Sequence, residues 1–459
     1  MSRLVIVSNR VADPGDKKAQ AGGLAVALQS ALREHGGIWF GWSGKITQQS
    51  APNVKTQEVG NVTYATVDLD RQSYRQYYSG FANRVLWPLF HYRLDLTAFE
   101  RVDFKGYIKV NRMFLEQLQP HLRDDDLVWI HDYHLIPLGE NLRESGHKNS
   151  LGFFLHTPFP ALEVIRGLPT HREIVKALCA YDVVGFQTEN DLRAFQDYVV
   201  HELDGEILDD NMVIAQGRLF KAQAFPISLD PEEFQGYGRR AVRSAHYKRL
   251  KTKEGSSWLV GVDRLDYSKG IPERLRSYER LLERYPGYQG KVNFLQVTPA
   301  SRSEVPEYKL IRNEIETLAG NINGRYAQFD WVPVNYICRS LARTQLAAFY
   351  RASAIGLVTP LRDGMNLVAK EYVACQNPKD PGVLVLSSFA GAAHEMDAAL
   401  IVNPMDLDAV ADAIARGLEM PLEERVERWD ALMGVLQANT LADWRDKFIG
   451  AMHEVQPQG

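Results

Sequence analysis

Trp258-Leu259-Val260-Gly261-Val262-Asp263-Arg264-Leu265-Asp266-Tyr267-Ser268-Lys269-Gly270-Ile271-Pro272 places an apolar run, a charged turn and a helix start in immediate succession. A short apolar run bounded by turn chemistry reads as a buried strand. Gly270-Ile271-Pro272 opens a helix, with proline in the first turn, where its missing N–H removes no helical bond. Arg264 and Lys269 fall just past the strand end, so two cations and a helix N-terminus converge on one anion. A diphosphate is the natural ligand of such a turn, and a solvated basic loop is the alternative reading. Strand, loop and helix in this order form the repeating unit of a parallel α/β sheet.

The same unit recurs on both sides. Downstream, apolar runs stand at Val292 to Gln296, Ala354 to Val358, Val383 to Leu386 and Leu400 to Val402. Upstream they stand at Leu4 to Val7, Leu127 to Ile130, Leu151 to Leu155 and Val183 to Phe186. Segments with helical spacing separate them, which predicts two doubly wound, Rossmann-like domains in tandem. Between the two series the charged, glycine-containing stretch from Pro231 to Ser257 holds no strand-like run, so a boundary is expected near residue 232. The expected domains are therefore residues 1–232 and 233–440. Leu407, Val410, Ala411, Ile414 and Leu418 follow helical spacing, as do Leu441, Trp444, Phe448 and Met452, and this last helix, about residues 441–459, is free to pack back on the first domain. Ligands of open α/β sheets bind beyond the carboxyl ends of the strands, so substrates are expected between the two domains.

Composition narrows the class. Of 459 residues, 45% are hydrophobic and 24% charged, enough apolar mass for more than one core. A formal net charge of −4 without a Lys/Arg block offers no footprint for nucleic acid. Cys179, Cys338 and Cys375 are odd in number and lack metal-type spacing, which points to a reducing compartment. The apolar run after Met1 is too short for a signal peptide, and no stretch has the length of a membrane span. A cytoplasmic protein is expected, and its oligomeric state is open, a homo-oligomer included.

Other strand ends carry further candidates. The first strand runs into Ser8-Asn9-Arg10, a cation at a carboxyl edge, and Ala21-Gly22-Gly23-Leu24 opens a helical segment. Gly22 and Gly23 there either let backbone N–H groups approach a phosphate or simply make a turn. They do not form GxGxxG, which disfavours a nicotinamide enzyme. His131-Asp132-Tyr133-His134 follows a buried strand; Asp132 either accepts from sugar hydroxyls or caps the next helix. His156 ends another strand before the rigid Thr157-Pro158-Phe159-Pro160, as a ligand contact or as a structural histidine. Arg302 follows the strand at Val292 and suits a second phosphate. Asp363 and Glu371 lie two helical turns apart, so both carboxylates can face sugar and ribose hydroxyls, while backbone N–H groups at Gly364 to Asn366 suit a phosphate; alternatively Asp363 is only a helix cap. No Asp-x-Asp pair follows a strand in the metal arrangement of nucleotide-sugar enzymes. Stabilisation of a leaving diphosphate is therefore expected from Arg264, Lys269 and helix dipoles, with no metal and no cofactor.

Taken in order, Ser8-Asn9-Arg10, Gly22-Gly23-Leu24, Phe40-Gly41-Trp42-Ser43-Gly44, Leu86-Trp87-Pro88, His131-Asp132-Tyr133-His134, Asp263 to Gly270 and Asp363 to Glu371 resemble the trehalose-6-phosphate synthases, retaining glycosyltransferases of family 20 with the GT-B fold. The resemblance runs from Ser2 to the last helix. It implies a first domain for the acceptor and a second for the nucleotide sugar, facing a central cleft. It further implies that Gly22, Gly23, Arg264, Lys269 and the run Leu367, Val368, Ala369, Lys370 and Glu371 hold the nucleotide sugar, with Glu371 on the ribose and Leu341 near the base. Asp363 and His156 would contact the donor glucose. Arg10, Tyr78 and Arg302 would surround the acceptor phosphate, with Trp87 and Asp132 on its sugar. Glucose would pass from UDP-glucose, or another nucleotide glucose, to glucose 6-phosphate. Glycerol 3-phosphate as acceptor, and a sugar-phosphate sensor without turnover, are the competing readings. Tyr78 and Trp87 argue against the first, and intact Arg264, Lys269, Asp363 and Glu371 against the second. A phosphorylase is disfavoured because no lysine context suggests pyridoxal.

Overall fold

The computed structural model describes residues 2–11, 28–29, 31–32, 34, 36–48, 53–252, 255–302 and 305–455. The chain divides into two compact units, Met1–Ile227 with Ala442–Gly459, and Ser228–Leu441.

The first unit is built on a ten-stranded sheet. Its strands are β1 (Leu4–Arg10), β2 (Gly37–Thr47), β3 (Lys55–Val59), β4 (Val62–Asp70), β5 (Leu127–His131), β6 (Ser150–Phe154), β7 (Val183–Phe186), β8 (Glu206–Ile207), β9 (Met212–Ala215) and β10 (Arg218–Ala224). They lie in the order β3-β4-β2-β1-β5-β6-β7-β10-β9-β8. From β4 across to β10 every pairing is parallel, and antiparallel partners close both edges. β5, β6 and β7 are buried along their whole length, as expected of parallel strands covered on both faces. The chain winds outward from β1 through β2 to β4 and then returns to β5 on the other side. The strand order thus reverses between β1 and β5, and their register sets Ser8 beside His131 at the carboxyl ends of the two strands. Helix Leu441–Glu454 covers this sheet: Phe448 stacks on Trp129 at 4.6 Å, and Trp444 meets Trp129 at 5.0 Å and Phe154 edge-on at 5.1 Å.

The second unit carries six strands, β11 (Ser257–Val262), β12 (Val292–Val297), β13 (Val334–Ile337), β14 (Ile355–Val358), β15 (Val383–Ser387) and β16 (Leu400–Val402). They are all parallel in the order β13-β12-β11-β14-β15-β16. Here the order reverses between β11 and β14. Register sets Val262 beside Val297 and Val260 beside Gly356, so the loops after β11, β12 and β14 emerge side by side. The charged stretch after Pro231 is a pair of helices, Pro231–Ala241 and Ala245–Leu250, belonging to this unit; Asp230 caps the first through the N–H groups of Glu232 and Glu233. Among the described residues no helix is long and apolar enough to cross a membrane. The three cysteines are free thiols, and burial pushes that of Cys179 up to about 12.

Candidate active site

In the second unit the turn after β11 is built around two buried carboxylates. Asp263 is 6% exposed, and its Oδ2 lies 2.5 Å from Nη1 of Arg274, which is itself fully buried. Arg274 spends its remaining donors on neighbouring elements: Nε on the Thr359 hydroxyl at 3.0 Å, Nη1 also on Oε1 of Gln296 in β12 at 3.1 Å, and Nη2 on the Lys269 carbonyl at 3.2 Å. Desolvation pushes the Asp263 carboxyl up, opposed by the positive charges of Arg274 and Lys269. Asp266 caps the short turn Tyr267–Lys269 by accepting from Ser268 N–H at 3.1 Å. Gly270 follows at φ +62°, and a Cβ there would stand 2.4 Å from the Thr359 carbonyl oxygen. Only glycine lets the β11 and β14 loops approach this closely.

Lys269 crosses between those loops. Its Nζ lies 2.6 Å from Asp363 Oδ2, and both side chains are largely shielded from solvent. Asn366, at φ +77°, donates to the same Asp363 oxygen at 2.9 Å and accepts from Ala369 N–H at 3.3 Å. The cap of helix Leu367–Cys375 is therefore Asn366, and Asp363 is turned to the lysine. With Ala369 N–H taken by the cap, the half-exposed Leu367 and Val368 supply first-turn N–H groups that have no partner inside the helix, a positive end suited to an anion. Lys370 turns its ammonium inward to Glu395 at 2.7 Å and is buried, so only its backbone can serve a ligand. Glu371, half-buried, accepts from the Tyr350 hydroxyl at 3.1 Å. Burial pushes its carboxyl up to about 7, against the opposing pull of Arg343 and the Tyr350 bond. Arg264, partly exposed, lies 3.6 Å from Asp266, and Arg302 stands 3.5 Å from the same carboxylate. Leu341 is half-exposed in the loop after β13, ahead of helix Arg343–Ala352, which carries Tyr350.

In the first unit the site residues gather where the strand order reverses. Ser8 Oγ accepts from Trp39 Nε1 at 2.9 Å and donates to the Arg10 carbonyl at 3.0 Å, while Asn9 Oδ1 accepts from the Tyr77 hydroxyl at 2.8 Å. The Arg10 guanidinium lies across Gly44, at φ +86°, where any Cβ would stand 2.8 Å from its Nε. Tyr78 sits in a π-helical segment, Tyr74–Leu86, and stacks between Tyr74 at 5.3 Å and His134 at 5.8 Å. Trp87 is 5% exposed and packs on His91 at 4.0 Å and Tyr133 at 5.8 Å, next to Asp132. Asp132 has φ +75°, and its Oδ1 accepts from the His156 N–H at 3.3 Å. It caps no helix, since the next one begins at Leu138 after Pro137. His156 pairs through Nε2 with His131 Nδ1 at 3.1 Å. Burial drives its pKa down to about 3, so the ring stays neutral. Gly22 and Gly23 lie outside the described residues.

Asp363, Lys269 and the helix starting at Leu367 thus form one cluster with the Asp263 to Gly270 turn. Arg274 carries no role in the sequence reading, and Asn366 enters it only through its backbone N–H, not as a cap. Arg274 had a signal, a charged residue within the apolar stripe Ile271, Leu275, Tyr278, Leu281, Leu282; Asn366 had the ordinary signature of a cap.

The model of glycosyltransferase family 20 matches residues 3–454. The trehalose-6-phosphate synthase of Enterobacter sp. (strain 638) is 48% identical over 461 residues, spanning 100% of this chain and 96% of that protein. A crystal structure of an α,α-trehalose-phosphate synthase (UDP-forming) from Burkholderia xenovorans, in complex with glucose-6-phosphate, superposes with a TM-score of 0.95 at 50% identity, covering 98% of this chain and 100% of that one. A trehalose-6-phosphate protein from E. coli bound with UDP-2-fluoro glucose gives a TM-score of 0.94 at 45% identity, with 100% of both chains covered. Two doubly wound units, ion-paired loops at a sheet's switch point and likeness along the whole length lead to one assignment: this chain belongs to glycosyltransferase family 20, with the GT-B fold.

Proposed function

We propose that this chain is a retaining glucosyltransferase that moves glucose from UDP-glucose to glucose 6-phosphate, giving α,α-trehalose 6-phosphate and UDP. The observation that carries the reading is the cluster where the β11 and β14 loops meet. There a lysine paired with a carboxylate stands beside the first turn of a helix, whose N–H groups have no partner inside the helix, an arrangement suited to a sugar diphosphate. In this reading Arg264, Lys269 and the first-turn backbone of Leu367 and Val368 hold the diphosphate, with Gly22 and Gly23 contributing backbone N–H groups. Glu371 takes the ribose hydroxyls, Leu341 lies near the base, and Asp363 and His156 orient the donor glucose. Arg10, Tyr78 and Arg302 serve the acceptor phosphate, and Trp87 and Asp132 its sugar.

The chemistry breaks the bond from glucose C1 to the UDP oxygen and forms a bond from C1 to the anomeric hydroxyl oxygen of the acceptor. The hydroxyl proton passes to the departing phosphate oxygen, so no protein nucleophile is needed. Negative charge grows on the diphosphate as its bond stretches, and Arg264 and Lys269 stabilise it more in the transition state than in the ground state. His156, held neutral by burial, offers a hydrogen bond without adding a charge. We assign the enzyme to the cytoplasm, supported by its three free thiols.

Incubating the protein with UDP-glucose and glucose 6-phosphate tests the reading directly. The expected product is a non-reducing disaccharide phosphate with a 1,1 linkage, formed in step with UDP. Formation of glucosylglycerol phosphate alone, or binding with no turnover, would replace it with one of the competing readings.

A further inference from the structure

Asp266 receives more polar partners than the capping of one turn requires. It has no exposed surface. Its Oδ1 accepts from Ser268 N–H at 3.1 Å, while Oδ2 faces the Tyr308 hydroxyl at 3.0 Å, Arg302 Nη1 at 3.5 Å and Arg264 Nε at 3.6 Å. Tyr308 is 1% exposed, and burial holds its phenol well above the ordinary tyrosine value, so it keeps its proton. It can then accept from Arg302 Nη1 at 2.6 Å and donate onward to Asp266. Arg302 itself has φ +44°, a backbone conformation that L side chains adopt only where the surroundings hold them. Arg264 follows β11 and Arg302 follows the neighbouring β12.

Two guanidiniums brought to one oxygen would repel each other and swing apart unless a buried negative charge lay between them. We propose that Asp266 is a positioning residue that sets Arg264 and Arg302 together, with Tyr308 relaying its hold to Arg302 alone. The inference rests on the reading above, in which Arg264 serves the donor diphosphate and Arg302 the acceptor phosphate. One buried carboxylate then orients a cation for each substrate without touching either. The asymmetry of the network makes the idea testable: Asp266 reaches both arginines, and the Tyr308 hydroxyl bonds only the second of them.

Steady-state kinetics on Asp266→Asn and Tyr308→Phe test it. The asparagine keeps the shape and the acceptor for Ser268 but removes the charge, and the KM values for UDP-glucose and glucose 6-phosphate should both rise, by about tenfold or more. The phenylalanine removes one neutral hydroxyl, and only the KM for glucose 6-phosphate should rise, by roughly two- to tenfold, with that for UDP-glucose unchanged. A loss confined to kcat in Asp266→Asn, or equal shifts in both KM values in Tyr308→Phe, would reduce the network to scaffolding and overturn the proposal. If Asp266→Asn does not fold, Tyr308→Phe decides alone: a rise selective for glucose 6-phosphate supports the proposal, and no rise or an equal rise overturns it. Failure of the wider reading shows itself separately, as absence of the disaccharide phosphate from the wild-type reaction.

Discussion

Glu371 is a carboxyl whose charge is decided close to neutral pH, because desolvation raises it to about 7 while Arg343 and the Tyr350 hydroxyl pull it back. The folded chain therefore holds this proton more tightly than the unfolded chain does. Its contribution to stability is fully present below the ordinary carboxyl value and is lost as pH rises through about 7. Ribose hydroxyls donate to a carboxylate, so the same ionisation should strengthen UDP binding as pH rises. We expect calorimetric UDP affinity to increase from about pH 6 to about pH 8 in the wild type more steeply than in Glu371→Gln. Identical pH slopes in the two proteins would show that Glu371 does not face the nucleotide. The sequence pairs Glu371 with Asp363 across two helical turns, but the helix begins only at Leu367, so Asp363 lies ahead of it in the loop. The burial of Glu371 and its Tyr350 partner were not legible there, since Tyr350 arrives from a separate helix that only packing brings near.

At the scale of elements, the helix Ile271–Arg284 shows what patterning reveals and what it hides. Ile271, Leu275, Tyr278, Leu281 and Leu282 mark its buried stripe, and Arg274 occupies a position in that stripe. Its partners come from the loops after β11 and β14 and from strand β12, so periodicity gives the burial but not the reason for it. Arg274→Met would leave Asp263 buried without its counter-ion, and breaking a pair of this kind costs about 3–5 kcal/mol. Urea unfolding of Arg274→Met should show a loss of that order, and the double variant with Asp263→Asn should recover part of it. A loss below about 1 kcal/mol would mean that the pair is well solvated. The same lesson applies to the helix at Leu367. Its anion-binding end was expected from the loop before it, yet the cap falls to Asn366, whose left-handed backbone frees Asp363 to meet Lys269.

For the whole molecule, the apolar runs at β1, β5, β6, β7, β11, β12, β14, β15 and β16 made two doubly wound sheets readable, because strands buried on both faces are continuous in hydrophobicity. Other strands escaped for physical reasons. β2 is interrupted by Gly37, Gly41 and Gly44; β3 is exposed throughout; β4 alternates and β13 is half-exposed, so none of these four presents a continuous apolar run. The strand ends and their charged turns were legible. The hub residues Arg274, Asp266 and Tyr308 were not recognised as such, because a hub is defined by several elements at once. The account as a whole stands on two anion-binding functions carried by different residues, one for a diphosphate and one for a monophosphate. Calorimetric titration of UDP and of glucose 6-phosphate into wild type, Lys269→Ala and Arg302→Ala tests this most directly. The account predicts a crossed pattern: Lys269→Ala weakens UDP by roughly 10- to 100-fold and leaves glucose 6-phosphate nearly unchanged, while Arg302→Ala does the reverse. Equal losses for both ligands in both variants would contradict it.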